Sequence, residues 1–274
     1  MKTRILAAVV LLPLLLIVLI ALPPIVTAIM LAGMCAVAAF ELLWGARLVK
    51  NPRLIAYTMV AAAINAFWCH GGSSYGWGLL GSLLFCCLLW GEMLAAKGKL
   101  RFEKVLVCIA GGMLIPYLLN AIVRIRNMEY GSIYVLMPFA LAFLSDSGAY
   151  FAGMYLGKHK LAPTISPKKT VEGVFGGIAG AILGMMIFGL VLSLGFHLRV
   201  NFLLCIVYGI LGSLASVLGD LTFSVIKRQA GIKDYGNLIP GHGGILDRFD
   251  SMTIVAPLTE TLLVLLPIAE KFHG

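Results

Sequence analysis

Apolar residues run in long unbroken blocks along this chain, and the polar ones gather in the gaps between them. A helix needs roughly 20 residues to cross a hydrocarbon core, and blocks on that scale fall near 5–22, 25–46, 54–69, 76–96, 105–123, 132–156, 173–195, 201–226 and 251–269. The pattern predicts an all-α, polytopic integral membrane bundle of about nine transmembrane helices. Residues 1–22 have the basic start and apolar centre of a secretory leader, but Pro23 and Pro24 follow at once and no small-residue cleavage site stands out. They are read as an uncleaved first helix.

Composition agrees with the pattern. With 61% hydrophobic and 12% charged residues in 274, and a mean hydropathy of +0.99, the chain has more apolar surface than a soluble domain of this size could bury. No low-complexity tract, repeat or soluble domain interrupts it, so residues 1–274 form one expected integral domain. Within it, 1–125 reads as scaffold helices, with Glu41 and Glu92 placed near their cytoplasmic ends, and 126–274 as catalytic helices and cytoplasmic loops.

Basic residues set the expected orientation, because Lys and Arg beside the spans stay on the cytoplasmic side. Alternating the nine segments puts Lys2, Arg4, Arg47, Lys50, Arg53, Lys97, Lys99, Arg101, Lys104, Lys158, Lys160, Lys168, Lys169, Lys227, Arg228, Lys233 and Arg248 on one face. Only Arg124, Arg126, Arg199 and Lys271 fall on the other, a split of 17 to 4 that predicts an N-in, C-out topology. The net charge of +9 is spread over short loops with no groove to receive nucleic acid. It suits anionic lipid headgroups and phosphorylated substrates instead. The six cysteines lie in or beside apolar spans without paired metal-ligand spacing and read as packing residues.

Charge inside the apolar blocks is concentrated in the C-terminal half, and charge at membrane depth is rarely kept without a use. In the block 201–226, Ser213, Ser216, Asp220, Ser224 and Lys227 recur every three or four residues and so share one helix face. Asp220 lies seven residues, or roughly 10 Å, inside Lys227, too deep for casual solvation. It calls for a cation, a proton or a hydrogen-bonding cluster. The following segment brings Asp234, His242, Asp247, Arg248 and Asp250 to the mouth of that helix, among glycines at 231, 236, 241, 243 and 244. Glycines let backbone N–H groups approach an anion closely. With Lys227, Arg228, Lys233 and Arg248 beside them, the segment suits a metal-complexed polyphosphate, with Asp oxygens as hard ligands for Mg²⁺. Asp247 and Asp250 stand at i and i+3, where one could bind metal and the other cap the next helix. His242 is open to a role as general base, phosphate contact or loop organiser.

A second polar stretch, LSDSGAYFAGMYLGKHKLAPTISPKKTVEG, runs from Leu144 to Gly173. Asp146 is intramembrane, and Lys158, Lys160, Lys168 and Lys169 follow on the cytoplasmic side. Together with Ser166, Thr170 and a helix start near Glu172 they form a candidate anion receptor. A topology loop explains the lysines but not Asp146. Gly173, Gly176, Gly177, Gly180 and Gly184 give the next helix a close-packing face. Glu260, in the last block, has no partner evident from sequence.

At these residues the chain resembles the phosphatidate cytidylyltransferases, or CDP-diacylglycerol synthases. That family's signature, Ser-x-x-Lys-Arg, four residues, Lys-Asp, then Pro-Gly-His-Gly-Gly-x-x-Asp-Arg-x-Asp, reads here as Ser224, Lys227, Arg228, Lys233, Asp234, Pro240 to Gly244, Asp247, Arg248 and Asp250. The DSGAY, GKHKLAP, SPKKT and LGD elements upstream are also similar, so the resemblance is strong over 140–255 and carried only by hydropathy before that. It implies Mg²⁺-dependent transfer of a cytidylyl group from CTP to phosphatidic acid, a second cation with K⁺ among the candidates, a homodimer in the bilayer, and a site opening to the cytoplasm from a bacterial inner membrane. It assigns Asp220 and Asp247 as metal ligands, with Lys227, Arg228, Lys233, Lys168 and Lys169 around triphosphate or phosphatidate. Phe223, where many members carry Glu, and Val171, where an aromatic is common, depart from the pattern.

Two other functions share some of these features. A cation- or proton-coupled transporter would use Asp146, Asp220 and Glu260 as an ion path and would need no CTP. A CTP-dependent polyprenol kinase would need the same basic mouth. The length of the signature favours phosphatidate as acceptor.

Overall fold

A computed structural model of the chain describes Val9 and residues 12–70, 75–238 and 243–270. It is 76% helical, an all-α architecture in which backbone groups are satisfied within each element, as a hydrocarbon environment demands. The helices are α1 (Leu12–Ala21), α2 (Pro24–Gly45), α3 (Pro52–His70), α4 (Gly76–Ala95), α5 (Phe102–Arg126), α6 (Gly131–Leu156), α7 (Val171–Phe196), α8 (Phe202–Gln229), the single turn α9 (Leu246–Phe249) and α10 (Met252–Leu265). Among the described residues six of these, α2, α4, α5, α6, α7 and α8, are long and apolar enough to cross a membrane.

The other three expected spans are also helical but differ in extent. The described part of the first is the ten residues of α1. The third, α3, is 19 residues long but is diluted by Arg53, Asn65 and His70. The last, α10, has 14 residues; Pro267 lies two residues past its end, where a helix commonly stops.

The chain forms two compact units, one from residues 1–132 and 226–249, the other from 133–225 and 250–274. In the first, α2 opens with proline at its first turn, where the missing N–H is no loss, and lies along α3. Gly111 and Gly112, in a π-helical stretch of α5 (Ala110–Leu114), allow Thr58 of α3 to pack against the α5 backbone. Leu31, Leu43, Leu54, Ala62, Leu89 and Ile122 are buried there. The outer face of α4 exposes Trp77, Leu79, Leu83 and Leu94, an apolar surface suited to lipid.

In the second unit, α6 and α7 are in backbone contact. A Cβ at Gly176 would run into Ala152, one at Gly180 would meet the Leu144 carbonyl, and one at Gly173 would stand 3.0 Å from the Ala149 oxygen. The glycine face of α7 therefore packs inward, while Phe175, Leu183, Ile187 and Leu194 point outward. Small residues inside and large ones outside are what helix association needs where no hydrophobic effect separates the faces. Between these helices, β1 (Lys160–Ala162) and β2 (Ser166–Thr170) form an antiparallel hairpin, and β3 (Arg199–Val200) pairs with β4 (Ala269–Glu270).

Candidate functional site

The polar stripe on α8 is present and each member is used. Ser213 shares a 2.8 Å hydrogen bond with Ser145 of α6. The Ser216 hydroxyl donates to Asp146 Oδ1 at 3.5 Å. The Ser224 hydroxyl donates to Asp220 Oδ1 at 3.1 Å, and Lys169 Nζ stands 2.5 Å from Asp220 Oδ2. Each Asp220 oxygen thus has one partner, and the side chain is 31% exposed. Gly219 makes room beside it, since a Cβ there would press on the Asp250 carbonyl and Ser251.

Lys169 reaches Asp220 because of strand geometry. Successive residues of β2 face opposite ways, so Lys169 is partly buried while Lys168 is exposed. Pro167 is tolerated because the hairpin leaves β2 an edge strand. The hairpin is tied to the start of α7: the Val171 N–H donates to the His159 carbonyl at 2.9 Å, and His159 Nδ1 is 2.6 Å from Glu172 Oε1. Thr170 Oγ1 accepts the Gly173 N–H at 3.1 Å, so this helix start is capped by its own side chain.

The second cluster lies within the first unit, where α8 ends and the glycine-rich segment begins. Lys227 Nζ donates to Asp247 Oδ1 at 2.8 Å, with side chains 11% and 1% exposed. Asp247 Oδ2 accepts the N–H of Tyr235 at 2.8 Å and of Gly244 at 3.1 Å. Gly243 adopts a φ of 86°, the left-handed region that favours glycine, and brings the chain round to Asp247. The Tyr235 ring sits 5.4 Å below the Lys227 ammonium, close enough for a cation–π contact.

The remaining expected residues are more open. Arg228, Lys233, Asp234 and Arg248 are exposed in the first unit, with Arg228 directed to the Ile232 carbonyl at 3.4 Å. Asp250, in the second unit, accepts the Ser251 N–H at 2.8 Å through its carboxylate and the Thr253 hydroxyl at 2.6 Å through its carbonyl. It holds the start of α10. His242 lies outside the described residues. Phe223 is buried on α8, and Val171 is the first residue of α7.

Glu41 is the residue that sequence reasoning placed with the scaffold and that the structure brings to this cluster. Only 4% exposed, it accepts the Ile245 N–H at 3.0 Å on Oε1 and the Leu246 N–H at 2.8 Å on Oε2. Its isolation as an acid in an apolar block was the available signal.

Among the described residues no three His, Cys, Asp or Glu side chains gather as a metal cage. Mg²⁺ does not need one, since it is commonly held by one or two carboxylates together with substrate phosphates and water. Asp220 and Asp247 fit that requirement: hard oxygen donors, each with its charge balanced by a lysine.

The model of the cytidylyltransferase family matches residues 2–266. The chain is 37% identical over 245 residues to the phosphatidate cytidylyltransferase of Bacillus subtilis, covering 86% of this chain and 88% of that protein. It is 48% identical over 131 residues to the Staphylococcus epidermidis protein of the same name, and 46% identical over 134 residues to that of Staphylococcus aureus. In both staphylococcal comparisons the match covers 48% of this chain, and the chain spans about half, 49%, of the relative.

Proposed function

The chain belongs to the cytidylyltransferase family, and from that premise we propose that it is a membrane nucleotidyltransferase that moves the cytidylyl group of CTP onto phosphatidic acid. A phosphatidate oxygen attacks the α-phosphorus of CTP, the new P–O bond replaces the α–β anhydride bond, and diphosphate leaves with its electron pair. The products are CDP-diacylglycerol, an intermediate of phospholipid biosynthesis, and diphosphate.

The observation that carries this reading is the pair of lysine–aspartate contacts, Lys169 with Asp220 and Lys227 with Asp247. Phosphatidate is already an anionic nucleophile, so the protein need not generate one. What it must do is neutralise repulsion between anions, align the attack and stabilise the departing diphosphate. Lys169 and Lys227 supply mobile positive charge for the phosphates, with Arg228, Lys233 and Arg248 as exposed cations for triphosphate capture. Lys168, on the outer face of β2, guides anions without entering the contact to Asp220. Asp220 and Asp247 are the proposed Mg²⁺ ligands, and a second cation, K⁺ among the candidates, is proposed with them. When bound, Mg²⁺ supplies charge neutralisation and a template for phosphate alignment.

The same reading places the protein in a bacterial inner membrane as a homodimer, with nine crossings, the N-terminus and the reacting groups on the cytoplasmic side and the C-terminus outside. The positive-inside distribution supports that orientation.

The test is purified protein in detergent given phosphatidic acid, CTP and Mg²⁺, with lipid products identified by mass spectrometry. CDP-diacylglycerol equimolar with diphosphate, absent for Asp220→Asn, is the expected result. Folded protein that forms no CDP-diacylglycerol from any phosphatidic acid supplied would overturn the assignment.

A further inference from the structure

The glycine-rich segment after α8 has the composition of a phosphate cradle, and four of its described N–H groups donate to anions belonging to the protein. Gly244 and Tyr235 donate to Asp247. Ile245 and Leu246 donate to Glu41. The glycines fit these internal anions closely: a Cβ at Gly236 would stand 2.6 Å from Glu41 Oε1, and one at Gly244 would run into the same carboxylate. Gly45, four residues beyond Glu41, likewise makes room for the Tyr235 carbonyl.

Glu41 sits where α2 changes from α to π winding, over Glu41–Gly45. Such single-turn π segments inside α-helices are frequent at functional sites. Among the described residues no basic side chain lies within ion-pair distance of Glu41, and its charge is met by the two N–H groups. A buried carboxylate is costly unless it is hydrogen-bonded, and charge-assisted bonds to backbone N–H groups are among the stronger hydrogen bonds. The clamp therefore fixes the backbone at residues 245 and 246, immediately before Asp247.

We propose that Glu41 is a positioning residue: by clamping the Ile245 and Leu246 N–H groups it sets the direction of the Asp247 carboxylate, and so governs how Asp247 exchanges Lys227 for a divalent cation. This rests on the cytidylyltransferase reading for its catalytic consequence, but the clamp itself can be read without turnover. Glu41→Gln preserves shape while replacing one acceptor oxygen by an NH₂ group, which would face a backbone N–H donor. Gly244→Ala leaves Glu41 intact but pushes a methyl group into its carboxylate. The two variants reach the same joint from opposite sides, which guards against the failure of either one to fold.

Hydrogen exchange followed by mass spectrometry in Glu41→Gln should show peptides spanning 243–249 exchanging at least tenfold faster, with peptides from α6 and α7 unchanged. In the transferase assay the Mg²⁺ concentration for half-maximal activity should rise at least fivefold, with the KM for CTP at saturating Mg²⁺ within twofold of the parent. Gly244→Ala should reproduce both changes. A residue that only supports folding would lower the active fraction and leave the Mg²⁺ dependence in place. Unaltered exchange over 243–249, or an unaltered Mg²⁺ half-saturation in a folded variant, would overturn the proposal. If the parent protein lacked transferase activity altogether, the functional reading would fail while the exchange result still judged the clamp.

Discussion

Replacing Lys227 by methionine removes the cation from a buried ion pair and leaves the apolar stem nearly intact. The two charges are 2.8 Å apart, with the carboxylate side chain 1% exposed. At an effective dielectric constant of about 20 such a pair is attracted by roughly 6 kcal/mol. Desolvation of the two ions offsets a large part of that. Removing one partner nevertheless strands the other, and such losses run to about 3–5 kcal/mol. Asp247 keeps its bonds from the Tyr235 and Gly244 N–H groups, so the lower end, about 3 kcal/mol, is expected. The assay is reversible denaturant unfolding in detergent micelles of Lys227→Met, Asp247→Asn and the double variant. The double variant, which carries no stranded charge, should recover at least half of the stability lost by Lys227→Met. If Lys227→Met unfolds within about 0.5 kcal/mol of the parent, or the double variant is no more stable than Lys227→Met alone, the pair is not a buried, coupled unit and the reasoning fails.

Asp220→Asn and Asp247→Asn should each reduce turnover below detection while the protein remains folded and inserted; near-normal turnover in either purified variant would remove that carboxylate from the metal assignment. Lys169→Ala should lower kcat/KM by about tenfold or more, the equivalent of one charge-assisted hydrogen bond, whereas Lys168→Ala, on the opposite face of β2, should stay within threefold. Equal losses in the two lysine variants would contradict the strand alternation. Gly176→Val should destabilise the α6–α7 pair by at least about 2 kcal/mol, read from thermal unfolding in detergent, because its side chain would overlap Ala152 and the Gly148 carbonyl; an unchanged melting temperature would show that the two helices are not in backbone contact.

The helices were legible because membrane-spanning segments carry one dominant signal, a long apolar run. Their lengths were less so, since α10 stops at Leu265 for a local reason, Pro267, that hydropathy averages away. The α8 stripe could be read in full because its members recur at three- and four-residue spacing on one face. The β1–β2 hairpin could not: SPKKT has no apolar alternation, and only its pairing shows that Lys169 and Lys168 face opposite ways. Glu41 was the hardest to place, because its partners are backbone N–H groups 204 and 205 residues further along the chain, and backbone donors leave no mark in a sequence. For the same reason the sequence did not show that the glycines at 236 and 244 border the Glu41 carboxylate.

Following the label from CTP into lipid most directly tests whether these lysine–aspartate contacts serve cytidylyl transfer. Purified protein with phosphatidic acid and Mg²⁺ would be given α-labelled CTP in one reaction and γ-labelled CTP in another, each beside Asp220→Asn. The α-label should enter the lipid phase, the γ-label should remain in water-soluble diphosphate, and the variant should transfer neither. Label from the γ position in lipid would mean phosphoryl transfer, and would contradict the reaction assigned to these residues.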